Sequence, residues 1–124
     1  MKKAILSLLI VSILSSFVSV SLTEVVNAIK AGNAAEVAKY FDNSVEITVS
    51  QKANSYSKKQ AELVLSDFFE ANTVKSFEVI HQSENSASQY CIGNLTTNNG
   101  VYRTTIYMKQ IGSKQVIQEL RFEK

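Results

Sequence analysis

Histidine and cysteine occur once each among 124 residues, and proline is absent. One imidazole and one thiol do not make a metal-ligand set, and Cys91 has no partner for an internal disulfide. Cys91 stands among Tyr90, Ile92 and Leu95, where a thiol is expected to pack as a small hydrophobe. No neighbouring base or cation lowers its pKa toward that of a nucleophile. No proline-rich linker, internal repeat or low-complexity stretch divides the chain. No cofactor is implied.

Charge of one sign is lacking too. The formal +2 comes from thirteen Lys and Arg against eleven Asp and Glu, and Lys2 and Lys3 stand at the very start. Setting those two aside leaves eleven basic against eleven acidic side chains. The cluster Lys52, Lys58 and Lys59 near Tyr56 is too sparse for the broad positive surface that nucleic acid requires. No nucleic-acid partner is expected.

What is present begins with a leader. Lys2 and Lys3 precede the apolar run 4–20, which closes on small residues in the layout of a secretory signal peptide. The run includes Ser7, Ser12, Ser15, Ser16 and Ser19 and falls short of the roughly 20 mostly apolar residues of a membrane span, so no stable membrane anchor is expected. Residues 1–21 are assigned to the signal, with cleavage between 16 and 21, and residues 22–124 to a single domain exported to the periplasm or the cell exterior. Ser21 with Glu24 also reads as a capping box, which cleavage after Ser21 would remove. The sequon Asn94-Leu95-Thr96 is expected to stay unmodified.

Three helices are legible. Leu22, Val25, Val26 and Ile29 recur at helical spacing before Gly32, which suits a left-handed cap. Asn33 with Glu36 opens a second helix, carrying Ala34, Val37, Ala38 and Phe41. Ser57 with Gln60 caps the third, where Ala61, Val64, Leu65, Phe68 and Phe69 form one stripe. A strand is expected over Val45–Val49, then from Lys75 onward through Phe77, Val79 and His81, Gln89–Thr97, Val101–Lys109 and Gln115–Glu123. Asn99-Gly100 reads as a type I′ turn and Gly112-Ser113 as a second tight turn. The order is ααβαββββ, an α+β architecture with an antiparallel meander.

The element order, the segment Asn33 to Phe41 running into Asp42-Asn43-Ser44-Val45-Glu46-Ile47, the Phe68-Phe69 helix end and the closing Gln118-Glu119-Leu120-Arg121-Phe122 resemble the nuclear transport factor 2-like superfamily. More closely, the chain is similar to a family of small exported bacterial proteins of unknown function within it. The resemblance spans essentially residues 22–124. It implies a cystatin-like cone, a curved sheet wrapped around helices, often with an internal pocket and often with dimerisation through the outer face of the sheet. Enzymes of the superfamily, among them ketosteroid isomerases and polyketide cyclases, use acidic, histidine or tyrosine side chains in that pocket. Related sites usually involve a strand Asp, whereas Asp42 and Asp67 here both fall outside the expected strands, which weakens an enzymatic reading. Fold alone does not name a use for the pocket.

Residue by residue, the expected pocket lining is Phe68, Phe69, Phe77, His81, Tyr102 and Ile106. His81 shares the alternation of Phe77 and Val79, and it is the one side chain that titrates near neutrality without perturbation. No carboxylate is placed by sequence to orient it. Tyr102 falls on the same strand face as Thr104, Ile106 and Met108, the expected inner side. On the outer side Arg103, Tyr107, Ile117, Glu119 and Arg121 form a candidate dimer face, where Arg103, Glu119 and Arg121 suit a cross-strand charge ladder. The preferred reading has no catalytic residue: a non-enzymatic exported domain that binds a small apolar or mixed-polarity ligand or associates through its sheet. The alternative is a small isomerase, hydratase or cyclase with His81 and Tyr90 or Tyr102 as acid and base.

Overall fold

The computed structural model describes residues 20–124, so the leader lies, save for its last two positions, outside the described residues. Helices α1 (Val20–Lys30) and α2 (Ala34–Ala38) precede strands β1 (Phe41–Val49) and β2 (Lys52–Ser57). Helix α3 (Lys58–Ala71) follows, then β3 (Val74–Glu84), β4 (Ser88–Thr97), β5 (Gly100–Ile111) and β6 (Lys114–Glu123). Ser21 is already inside α1, and the Glu24 carboxylate accepts a hydrogen bond from the Tyr40 hydroxyl, so no capping box forms between Ser21 and Glu24.

Local chemistry sets the helix ends. Gly32 takes φ of 63°, while its N–H donates to Ile29 O at 3.0 Å and that of Asn33 to Ala28 O at 2.9 Å. This is the paired bonding of a Schellman end, which needs a residue indifferent to left-handed backbone. Asn33 Oδ1 at once accepts from Glu36 N at 3.1 Å, whereas the Glu36 carboxylate turns to Lys39 at 2.9 Å instead of closing a box. At α3 the box is complete: Gln60 N donates to Ser57 Oγ, and Ser57 N donates to Gln60 Oε1, both at 3.2 Å.

The six strands run in the order β2-β1-β6-β5-β4-β3. All neighbours are antiparallel except β1 and β6, which are parallel, so the sheet is mixed and not wholly antiparallel. No hairpin joins that pair, and the direction of a pairing between distant segments leaves no local pattern. The element order is ααββαββββ, one strand more than expected. β2 escapes a reading of hydrophobic alternation because five of its six residues are exposed and only Tyr56 is half-buried. Its turn, Ser50-Gln51, also lacks the usual residues, with φ of 48° and 76° at two positions where Asn or Gly is favoured. The expected type I′ turn at Asn99-Gly100 does not form: the two-residue loop is Asn98-Asn99, neither of which has positive φ, and Gly100 follows at φ 110°. The two asparagines are held by the end of α3, since Asn99 Nδ2 donates to Ala71 O at 2.7 Å and Thr73 N donates to Asn98 Oδ1 at 2.8 Å.

One face of the sheet carries the helices. The alternation along β4 is strict, with Gln89, Cys91, Gly93, Leu95 and Thr97 buried. Phe68 of α3 lies at the centre of the core, stacked on Phe122 with centroids 4.3 Å apart and meeting the Tyr102 ring edge-on at 5.1 Å. Curvature comes from extra residues: pairing shifts in β3 around Lys75 and Ile80, in β6 at Gln118 and in β1 between Phe41 and Glu46. Bulges of this kind bend the strand that carries them and raise its twist. Gly93 sits opposite Val79 beside the Ile80 bulge, and the Phe77 ring lies over it where a side chain would otherwise stand.

Candidate functional site

Bulges also decide which side chains can meet. Alternation from Phe77 through Val79 carries His81 to the inner face, but the extra residue Ile80 reverses the phase, and His81 pairs instead with Ile92 on the outer face. His81 is exposed there and meets the Tyr90 ring edge-on at a centroid distance of 6.0 Å. Tyr102 points the other way, 6% exposed. The thickness of the sheet therefore separates His81 and Tyr90 from Tyr102, so of the two acid-base pairings expected in the alternative reading, His81 with Tyr102 does not assemble, whereas His81 and Tyr90 share the outer face.

Of the six expected pocket residues, Phe68, Phe69, Phe77, Tyr102 and Ile106 are buried and belong to one packed cluster, while His81 stands outside it. Tyr102 has a structural task. Its hydroxyl donates to Asn72 Oδ1 at 3.1 Å, the same oxygen accepts from Asn99 Nδ2 at 2.9 Å, and Asn72 Nδ2 donates to Phe68 O at 2.9 Å. A buried hydroxyl and a buried helix end thereby satisfy each other. Nothing in the sequence marked Asn72, because the bond to Tyr102 spans thirty positions. Burial pushes the Cys91 thiol up to about 11, which leaves it protonated and unreactive at neutral pH.

Asp42 requires a correction, since it lies on β1 and not before it. Its Oδ2 accepts from Gln118 Nε2 at 3.1 Å and its Oδ1 from Asn43 N at 2.8 Å, so irregular points of two strands are tied together. Among the described residues no three His, Cys, Asp or Glu side chains gather closely enough to hold a metal ion.

The outer face keeps most of its expected membership and loses one residue. Ile117 is fully buried, because the bulge at Gln118 places Ile117 and Leu120 on one side and Val116 with Glu119 on the other. Ile117 N also donates to Tyr40 O, anchoring the core side of β6. Tyr107 and Glu119 are half-buried and directly paired, and Tyr90 faces Tyr107 across β4 and β5. The charge ladder runs along β6 and not across strands: Arg121 lies 3.6 Å from both Glu119 and Glu123. Arg103 is paired in register with Glu123, yet takes no part in these bridges.

Two of the surface hollows among the described residues lie beside the sheet and helices. One, between the α1–α2 junction and α3, is lined by Gly32, Asn33, Glu62, Ser66, Phe69 and Glu70 among others. The other is a corner lined by Ser50, Gln51, Arg103, Glu123 and Lys124. None of the five residues of this corner was among the expected pocket lining.

Similarity to known proteins agrees with the fold. A DUF4783 family protein from Bacteroides uniformis is 33% identical, with a TM-score of 0.80 over 82% of this chain and 94% of that one. Another from Bacteroides fragilis is 31% identical, with a TM-score of 0.79 over 87% and 99%. An NTF2-like protein of unknown function from Cytophaga hutchinsonii shares only 11% identity but has a TM-score of 0.61 over 82% and 84%, which speaks for the fold alone. No curated protein matches the chain. Residues 22–123 match the family model described as a domain of unknown function, DUF4783, and the chain belongs to that family, on an NTF2-like fold.

Proposed function

We propose that the chain is an exported, non-enzymatic association domain that pairs with a second copy of itself through the outer face of its sheet. One observation carries this reading. The half-buried Tyr90, Ile92 and Tyr107 make an amphipathic strip on that face, bordered by Arg121 between Glu119 and Glu123. A two-fold contact sets each such row of alternating charge against its own copy, so that Arg meets Glu across the axis while the tyrosines supply rigid contact area. Export is supported by the basic and apolar layout of residues 1–21.

A pocket-binding role has less behind it, because the aromatic side chains that would line a cavity pack on one another. Sedimentation velocity across a concentration series tests the dimer. A reversible dimer whose dissociation constant rises at least about tenfold in Tyr107→Glu is expected, since a buried unpaired charge at a contact costs more than about 1.4 kcal/mol. A monomer at every concentration refutes the reading. N-terminal sequencing of protein from the native host tests export, with a new terminus between positions 17 and 22 as the expected result.

A further inference from the structure

The bulge at Ile80 takes His81 out of the core and seats it, the single imidazole of the chain, on the outer face of the sheet. There His81 pairs with Ile92 in register and meets the Tyr90 ring edge-on, 6.0 Å between centroids. It therefore borders the strip of Tyr90, Ile92 and Tyr107 on the β3 side.

An isologous contact that sets Arg121 against Glu119 of a second copy places its two-fold axis between these two residues, across the strands. Register extends that line over the sheet. Arg121 pairs with Thr105, Thr105 with Ile92 and Ile92 with His81, while Glu119 pairs with Tyr107, Tyr107 with Tyr90 and Tyr90 with Ser83. The axis thus passes between His81 and Ser83. Each imidazole comes to lie over Ser83 of the other copy, and the two imidazoles stand on either side of the axis.

No carboxylate is placed there to receive an imidazolium. The acidic neighbour on the same strand face is Glu78, in register with Asn94, and no ion pair joins it to His81 among the described residues. β4 presents Tyr90, Ile92 and Asn94, none of them charged at neutral pH. β3 is an edge strand, and α1 packs against its inner face, which sets Glu24 and Lys30 on the far side of the sheet. A neutral imidazole extends the aromatic strip. A protonated one has to shed water against Tyr90 and Ile92 and face its own copy across the axis, and both effects oppose the contact. The Tyr90 ring, 6.0 Å away and at the limit of cation–π range, offsets little of this.

We infer, on the footing of the self-association proposed above, that His81 makes this contact acid-sensitive: the pair holds while the imidazole is neutral and separates when it takes a proton.

Sedimentation velocity over a concentration series at about pH 7.5 and about pH 5.5, at one ionic strength, tests the inference, because imidazole is the side chain that ordinarily changes charge in that window. The dissociation constant should rise roughly tenfold or more on acidification, since each of the two copies has to give up a proton before the contact closes. His81→Gln, uncharged at both pH values, should associate alike at both, and His81→Lys, charged at both, should stay weak at both. His81 is exposed, so neither substitution disturbs the core. A wild-type dimer of equal strength at both pH values, or a pH dependence that persists in His81→Gln, overturns the inference and leaves the dimer standing. A monomer at both pH values refutes the dimer, and the inference with it.

Discussion

Gly93→Ala is the sharpest test of how the sheet bends. A methyl group built on Gly93 would lie 2.5 Å and 2.6 Å from Cζ and Cε1 of Phe77 and 2.8 Å from the carbonyl oxygen of Glu78. Carbon atoms in contact rest at about 3.5–4.0 Å, so the ring has to retreat by about 1 Å and the backbone of β3 has to move with it. Phe77 cannot swing freely, because it is 4% exposed and packed in the core. Alanine would ordinarily gain about 0.5–1 kcal/mol over glycine within a strand, while overpacking costs about 1–3 kcal/mol. The clash wins, and a net loss of about 1–2 kcal/mol is expected. With a urea m-value of about 1–2 kcal/mol/M for a domain of this size, the unfolding midpoint followed by circular dichroism should fall by about 1 M at unchanged m. In a Phe77→Ala background the same substitution should cost distinctly less, since the ring is gone and only the Glu78 carbonyl remains. An equal or higher midpoint for Gly93→Ala would refute the claim that the close approach of Phe77 requires glycine there.

Two further predictions concern stability. The hydrogen bond from Tyr40 to the Glu24 carboxylate, with burial and then the charges of Glu24 and Glu36, raises the Tyr40 pKa to about 12 from its ordinary 10.0. The folded value lies above the unfolded one, so the bond's contribution is complete below pH 10 and is lost as the pH rises toward 12. The melting temperature of wild type over Tyr40→Phe should therefore converge across that window, and parallel curves would contradict the assignment. Asn72→Ala strands the buried Tyr102 hydroxyl, while Phe68 O keeps its bond from the backbone N–H of residue 72, and chemical denaturation should show a loss of about 1–3 kcal/mol. Tyr102→Phe added to Asn72→Ala should recover part of that loss, and simple additivity of the two would show that the hydrogen bond has no coupling energy.

The division between what was legible and what was not follows the range of the interactions. Helix ends depend on residues within five positions of one another, and so Gly32, Asn33 and the Ser57 and Gln60 pair declared themselves in the sequence. Inner faces that alternate without interruption, such as Tyr102, Thr104, Ile106 and Met108 on β5, were equally plain. His81 and Ile117 were assigned to the wrong faces for one shared reason. Each lies next to a bulge, and a bulge arises from pairing with a distant strand that the local pattern does not contain.

By itself the sequence determined where α1 ends and where α2 and α3 begin, five of the six strands, most of the side chains that form the core, and that the charges outside the leader balance. These rest on local backbone chemistry and on the period of burial. Only the tertiary structure decided the strand order, the parallel pairing of β1 with β6, the existence of β2 and the company each surface residue keeps. Such choices are made by hydrogen bonds between residues as far apart as Tyr40 and Ile117, whose partners a reading along the chain does not bring together. The same long-range register that parted His81 from Tyr102 set it beside Tyr90 on the outer face.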